Sequence, residues 1–169
     1  MFQSFDKTAS HPESRAQWIA LLARAPVTLM ESALASHAAS APVWLRRPET
    51  GLMMVQGRAG ATGERFNLGE VTVTRCALRL DGTHSPAPHV GVAYVLGRSH
   101  KQARLAAIAD ALLQDSDQHQ RIQGDLLAPV RQHLATLDAE KHARAQSTKV
   151  EFFTVAREGG ALADEAEAE

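Results

Sequence analysis

Residues 57–75 read GRAGATGERFNLGEVTVTR, a glycine-rich loop running into a strand-like segment, and the fold turns on how that segment is read. Gly57, Gly60, Gly63 and Gly69 leave the backbone free to turn or to approach a neighbour closely. Downstream, Val71 and Val73 alternate with Thr72, Thr74, Cys76, Leu78 and Leu80, the period-two pattern of a strand, with Arg75 falling on the valine side. The side on which polar residues should lie turns apolar midway, which predicts a bulge or burial of both faces. Upstream, Val43-Trp44-Leu45 and Leu52-Met53-Met54-Val55 read as two further strands, and Val90–Leu96 as another after the Asp81-Gly82 turn and the His84–His89 loop. The middle of the chain is therefore expected to be a mainly antiparallel sheet.

Helical spacing governs the flanks. Ser10-His11-Pro12-Glu13 has the form of a capping box ahead of Trp18, Leu21, Leu22 and Ala25, which predicts a helix over 12–24. Pro26 ends it, and Thr28 is expected to cap a second short helix bearing Met30, Ala33, Leu34 and His37, making an N-terminal helical pair. Ser99 opens a helix with the apolar stripe Leu105, Ile108, Ala109, Leu112 and Leu113. The polar 115–120 stretch and Gly124 are expected to interrupt helical structure before a final helix near Pro129, followed by a strand over Val150–Val155. These elements predict one α+β domain over 1–157, C-terminal helices on one face of the sheet, and a disordered acidic tail over 158–169.

The chain has 169 residues, 44% of them hydrophobic and 22% charged, enough for one ordinary core. Aromatic residues make up only 5%, so Trp18, Trp44, Phe66, Tyr94, Phe152 and Phe153 are expected to anchor a core of Leu, Val, Ile and Ala. Residues 1–157 hold 18 basic and 14 acidic side chains, a surplus too small and too dispersed for a nucleic-acid partner but sufficient for a local anion. Cys76 is the single cysteine, and no signal-peptide pattern opens the chain. No apolar run approaches the roughly 20 residues that cross a bilayer. A cytoplasmic setting with no membrane contact is the expectation.

The glycine loop fits neither phosphate-binding template. A P-loop requires lysine and a hydroxyl residue after its last glycine, whereas Gly63 is followed by Glu64-Arg65 and a strand, and G-x-G-x-x-G spacing is absent. One reading is a plain turn with exposed arginines. The other is that Gly57, Arg58, Gly60, Gly63, Glu64, Arg65 and Arg75 form an anion site or subunit interface, with guanidinium forks holding a phosphate or carboxylate. Arg98, at a strand-to-helix junction, joins this set because helix N-terminal amides attract anions. Glu64 and Glu70 have no nucleophile placed beside them. The eight histidines show no H-x-H or H-E-x-x-H pattern, so they are expected to be scattered surface residues with no metal, and no G-x-S-x-G motif marks a hydrolase.

Gly57-Arg58-x-Gly60-x-x-Gly63-Glu64-Arg65-Phe66, followed by Gly69-Glu70 and Thr74-Arg75, resembles the signature region of the PhnG family, subunits of bacterial carbon-phosphorus lyase machinery. Trp18, Gly97-Arg98, Ala106–Leu112 and Val150–Thr154 resemble the same family in the same order, so the likeness spans roughly residues 14–158. The His84–His89 loop and the acidic tail depart from it. The resemblance implies work alongside PhnH-, PhnI- and PhnL-type subunits that replace the adenine of ATP by a phosphonate, giving ribose 1-alkylphosphonate 5-triphosphate. It further implies a PhnJ-type partner with an iron-sulfur cluster and S-adenosylmethionine, a symmetric core with two copies of each subunit, and nucleosidase chemistry in the PhnI type. On this reading the chain contributes no catalytic residue, binds no cofactor by itself and is inactive alone. A freestanding phosphate- or nucleotide-binding enzyme, a purely structural assembly subunit, and a homodimer of the isolated chain remain as alternatives.

Overall fold

The computed structural model describes residues 14–37, 42–60, 62–80 and 88–150. Ser14 precedes helix α1, Arg15–Leu22, and its backbone N–H donates to the Gln17 side chain at 2.8 Å, the backward half of a capping box. The box expected at Ser10–Glu13 lies outside the described residues. Helix α2, Val27–Ala33, starts directly after Pro26, which occupies the cap position expected for Thr28. A single 3-10 turn, Ala35–His37, follows.

Three antiparallel strands come next, β1 Val43–Arg58, β2 Arg65–Leu80 and β3 His89–Leu96, in the order β1-β2-β3. The two strands expected over 43–45 and 52–55 are one strand. Pro48 does not break it because β1 is an edge strand, where a missing N–H leaves no ladder bond unmade, and the register slips between Arg46 and Glu49 to accommodate it. Two further slips lie between Trp44 and Arg46 and between Val55 and Gln56, the latter opposite Leu68.

Helix α3, His100–Leu113, lies across the sheet, with the Ser99 hydroxyl accepting from the Gln102 N–H. Its buried Leu105, Ile108, Leu112 and Leu113 meet Cys76 and Leu78 of β2 and Ala93 and Val95 of β3. The approach is close because Gly91 has no side chain. A Cβ there would stand 1.9 Å from the Ala107 carbonyl oxygen.

Asp110 of α3 ties the layers together and is fully buried. Its Oδ1 accepts from Arg15 Nε at 3.2 Å and Trp18 Nε1 at 2.8 Å, and its Oδ2 accepts from Arg15 Nη2 and the Val92 N–H, each at 2.8 Å. Gln114 and Arg15 also donate to the Val90 carbonyl at 2.8 Å. At Val90 and Val92 the outer edge of β3 is thus satisfied by side chains.

The 115–120 stretch expected to interrupt the helices is itself helix α4, Ser116–Ile122, because the Asp115 side chain caps it by accepting from the Asp117 N–H at 3.0 Å. Gly124 sits in a wide π-type turn, Gln123–Leu127, that leads directly into α5, Ala128–Ser147. The helices and the antiparallel sheet make the expected α+β architecture. Phe152, Phe153, most of the Val150–Val155 strand, the His84–Ala87 loop and the acidic tail fall outside the described residues.

Candidate functional site

The β1–β2 hairpin outruns the body of the protein. Its anchor is a chain of hydroxyls at the start of α3: His100 Nε2 meets Thr50 Oγ1 at 3.0 Å, Thr50 meets Thr74 Oγ1 at 3.1 Å, and Thr74 donates to the Gly97 carbonyl at 2.7 Å. The Gly97 N–H then donates to the Thr72 carbonyl at 2.9 Å. Beyond Thr50, β1 continues to Arg58, paired with β2 all the way to Arg65. At a rise of ~3.4 Å per residue the two-stranded arm reaches about 27 Å past its anchor.

Both faces of the arm carry apolar side chains. Leu52 and Met54 pair across the strands with Thr72 and Glu70, and Leu52 is 66% exposed. The other face holds Met53 opposite Val71. The slip at Leu68 brings Phe66 and Leu68 together over Gly57, whose missing Cβ would lie 3.5 Å from the Phe66 ring and 3.6 Å from Leu68. Leu68 is 67% exposed. On the sheet face directed away from α3, Val73 pairs with Leu96 and is itself buried, while Leu96, 71% exposed, and Tyr94 beside it are open. Phe66 and Tyr94, expected in the core, therefore point outward. Exposed apolar groups massed in this way mark a surface that meets another molecule.

The candidate residues fall into three places. Arg58 and Arg65 face each other as the last register pair of the hairpin, beside Gln56 and Gly57 in a shallow depression. The turn beyond them needs its glycines. Gly60 has φ +65°, in the left-handed region. At Gly63, whose N–H donates to the Ala59 carbonyl at 3.1 Å, a Cβ would fall 2.1 Å from that oxygen. Arg98 lies at the opposite end of the arm, in a depression with Thr50, Gly51, Leu52 and Thr72. Arg75 stands on the sheet and is already engaged, its Nε donating to Glu49 Oε1 at 2.7 Å while Arg46 approaches the same carboxylate at 3.3 Å. Glu64 and Glu70 are exposed, one at the tip and one along the arm. The structure thus brings Arg58 and Arg65 together with Gly57, Gly60 and Gly63, and separates them from Arg75 and Arg98.

Like charges directly opposite on a ladder are destabilising. Arg58 and Arg65 nevertheless have no ion-pair partner among the described residues, although Glu64 is adjacent in sequence.

Elsewhere the chemistry is structural. Burial pushes the Cys76 thiol up to about 11, against a smaller opposing pull from Arg104, so it remains protonated and inert near neutrality. Asp110 holds Arg15 in its charged form, raising its proton affinity through their hydrogen bonds. Desolvation, assisted by Arg121, lowers the proton affinity of His37. His119 is not a surface histidine: it packs edge-on to Trp18 at 5.7 Å and its Nδ1 meets the Leu113 carbonyl at 2.7 Å. Among the described residues no three His, Cys, Asp or Glu side chains converge as metal ligands, and no helix is long and apolar enough to cross a membrane. A cleft of about 360 Å³ between α2 and α3, lined by Glu31, Lys101, Arg104, Leu105 and Ile108, has the Glu31–Lys101 ion pair within it and no nucleophile.

The family model described as "Phosphonate metabolism protein PhnG" matches residues 13–158. A protein of Rhizobium meliloti named alpha-D-ribose 1-methylphosphonate 5-triphosphate synthase subunit PhnG is 42% identical over 151 residues, covering 85% of this chain and 88% of its own length. The family match runs through the helical layer, the whole arm with its arginine tip, and all three strands. The chain belongs to the PhnG family.

Proposed function

We propose that this chain is the corresponding subunit of an alkylphosphonate-activating synthase, which replaces the adenine of ATP by an alkylphosphonate to form ribose 1-alkylphosphonate 5-triphosphate. The 42% identity to a protein named as that synthase subunit supports the assignment. The observation that carries a subunit role, as opposed to a freestanding enzyme, is the arm with Leu52, Met53, Met54, Phe66 and Leu68 exposed on its two faces. A two-stranded projection is marginal by itself, and exposed apolar groups on both its faces suit burial against a neighbour. The partners on this reading are PhnH-, PhnI- and PhnL-type subunits, with a PhnJ-type subunit bringing the iron-sulfur cluster and S-adenosylmethionine of the later carbon-phosphorus cleavage. The chain acts in the cytoplasm and contributes shape and charge to the assembly; proton transfer and nucleophilic chemistry belong to its partners.

Purification of the tagged chain from its host, followed by mass measurement of the intact particle, tests this directly. Recovery in a hetero-oligomer containing those subunit types is expected. Recovery of the chain alone, with adenine released from ATP by the isolated chain, would favour a freestanding enzyme instead.

A further inference from the structure

The synthase reading leaves the hairpin tip unexplained. Two arginines stand opposite each other where the ladder ends, neither has an ion-pair partner among the described residues, and the glycine turn beyond them is too tight to accept a side chain at Gly63. The pair is carried about 27 Å from the anchoring threonines, on a stalk whose apolar faces are suited to burial in a neighbour. A repulsive pair placed inside another subunit requires an anion between its members.

Resting on the proposed synthase function, we propose that Arg58 and Arg65 are a clamp for the triphosphate of the nucleotide, delivered by the arm to the reaction site of the assembled complex. The triphosphate suits the tip on two grounds. Two guanidinium forks offer more N–H donors than one carboxylate can accept, and a chain of phosphate oxygens takes them in bidentate pairs. The reaction forms and breaks bonds at the ribose C1 carbon: the carbon–nitrogen bond to adenine breaks, a phosphonate oxygen takes its place, and adenine leaves with a proton. The 5-triphosphate passes unchanged from substrate to product, so the site that holds it needs fixed positive charge and no acid, base or nucleophile. The tip supplies fixed charge, and these are positioning residues.

The test uses the assembled complex carrying Arg58→Gln and Arg65→Gln, singly and together, with adenine release followed against ATP, adenosine and methylphosphonate concentration. Loss of one guanidinium–phosphate contact is expected to raise KM for ATP about 10-fold and loss of both about 100-fold. KM for methylphosphonate and turnover of adenosine, which lacks the triphosphate, stay at wild-type values, and Arg58→Lys with Arg65→Lys recovers part of the loss. An ATP KM within about twofold of wild type overturns the clamp, as does an equal loss with adenosine. Dissociation of the variant complex on size analysis also overturns it, by assigning the arginines to carboxylates of a partner protein. A wild-type complex that releases no adenine overturns the synthase reading itself, which separates the two failures.

Discussion

Replacing Asp110 by asparagine changes one atom at the centre of the fold and is expected to cost about 3 kcal/mol. Each carboxylate oxygen accepts two donors: Oδ1 serves Arg15 Nε and Trp18 Nε1, while Oδ2 serves Arg15 Nη2 and the Val92 N–H. Whichever way an asparagine amide is turned, its NH2 group faces one of these two pairs and can accept from neither. One buried donor, from Trp18 or from Val92, is then orphaned at a cost of about 1–3 kcal/mol. The Arg15 side chain is 43% exposed, so water can replace its lost partner. At most about 1 kcal/mol is therefore assigned to the Arg15 share. A loss of about 3 kcal/mol corresponds to a fall in Tm of roughly 6–12 °C for a chain of this size. Denaturant unfolding of wild type and Asp110→Asn, followed by tryptophan fluorescence, measures it, since Trp18 is a direct partner. A loss below about 1 kcal/mol would refute the view that this carboxylate joins α1, α3 and β3.

Gly91→Ala is expected to destabilise by about 2 kcal/mol, the scale of overpacking a close contact. The new Cβ meets the Ala107 carbonyl, so α3 must lift from the sheet, and thermal melting checks it. Stability is expected to hold below about pH 9 and to decline from there toward pH 11, because the raised thiol value means that the unfolded chain sheds the Cys76 proton first. Cys76→Ala flattens this alkaline limb in urea unfolding across pH. Leu52→Thr with Leu68→Thr keeps strand-compatible residues at exposed sites, so unfolding of the isolated chain shifts by less than ~0.5 kcal/mol. The same variant is expected to weaken assembly with the partner subunits at least ~10-fold, read by size analysis across a dilution series.

Much of the architecture was legible in the sequence. The Ser99 cap, the Leu105–Leu113 stripe and the alternation from Val71 to Leu80 specify α3 and β2 because local pattern and final environment agree. The misread elements are those in which tertiary context prevails. The 115–120 stretch looks like a break by polarity, yet Asp115 caps a helix there and Ile122 buries itself beneath it. Val43-Trp44-Leu45 and Leu52-Met53-Met54-Val55 read as two strands, yet one strand runs through both and carries Leu52, Met53 and Met54 exposed on a projecting arm. The structure shows the reason in their length, since β1 and β2 have 16 residues each. A hairpin of that length outgrows what the helices of a small domain can cover.

At the candidate site, the sequence placed Arg58, Arg65, Arg75 and Arg98 in one set by their nearness to glycines. Register separates them, because strand pairing sends Arg58 and Arg65 to the tip and leaves Arg75 with Glu49. Asp110 escaped notice as a structural centre, since an acid inside an alanine-rich helix has no local signature. Its side-chain donors Arg15 and Trp18 lie on α1, more than 90 residues back along the chain, and its backbone donor Val92 on the preceding strand.

The most direct test is reconstitution of the synthase from its separate subunits, with and without this chain, and assay of methylphosphonate-dependent adenine release from ATP. Release is expected with the full set, none from the chain alone, and a fall to near background when the chain is omitted. Undiminished release without it would contradict the claim that this PhnG-family chain is a required part of the complex.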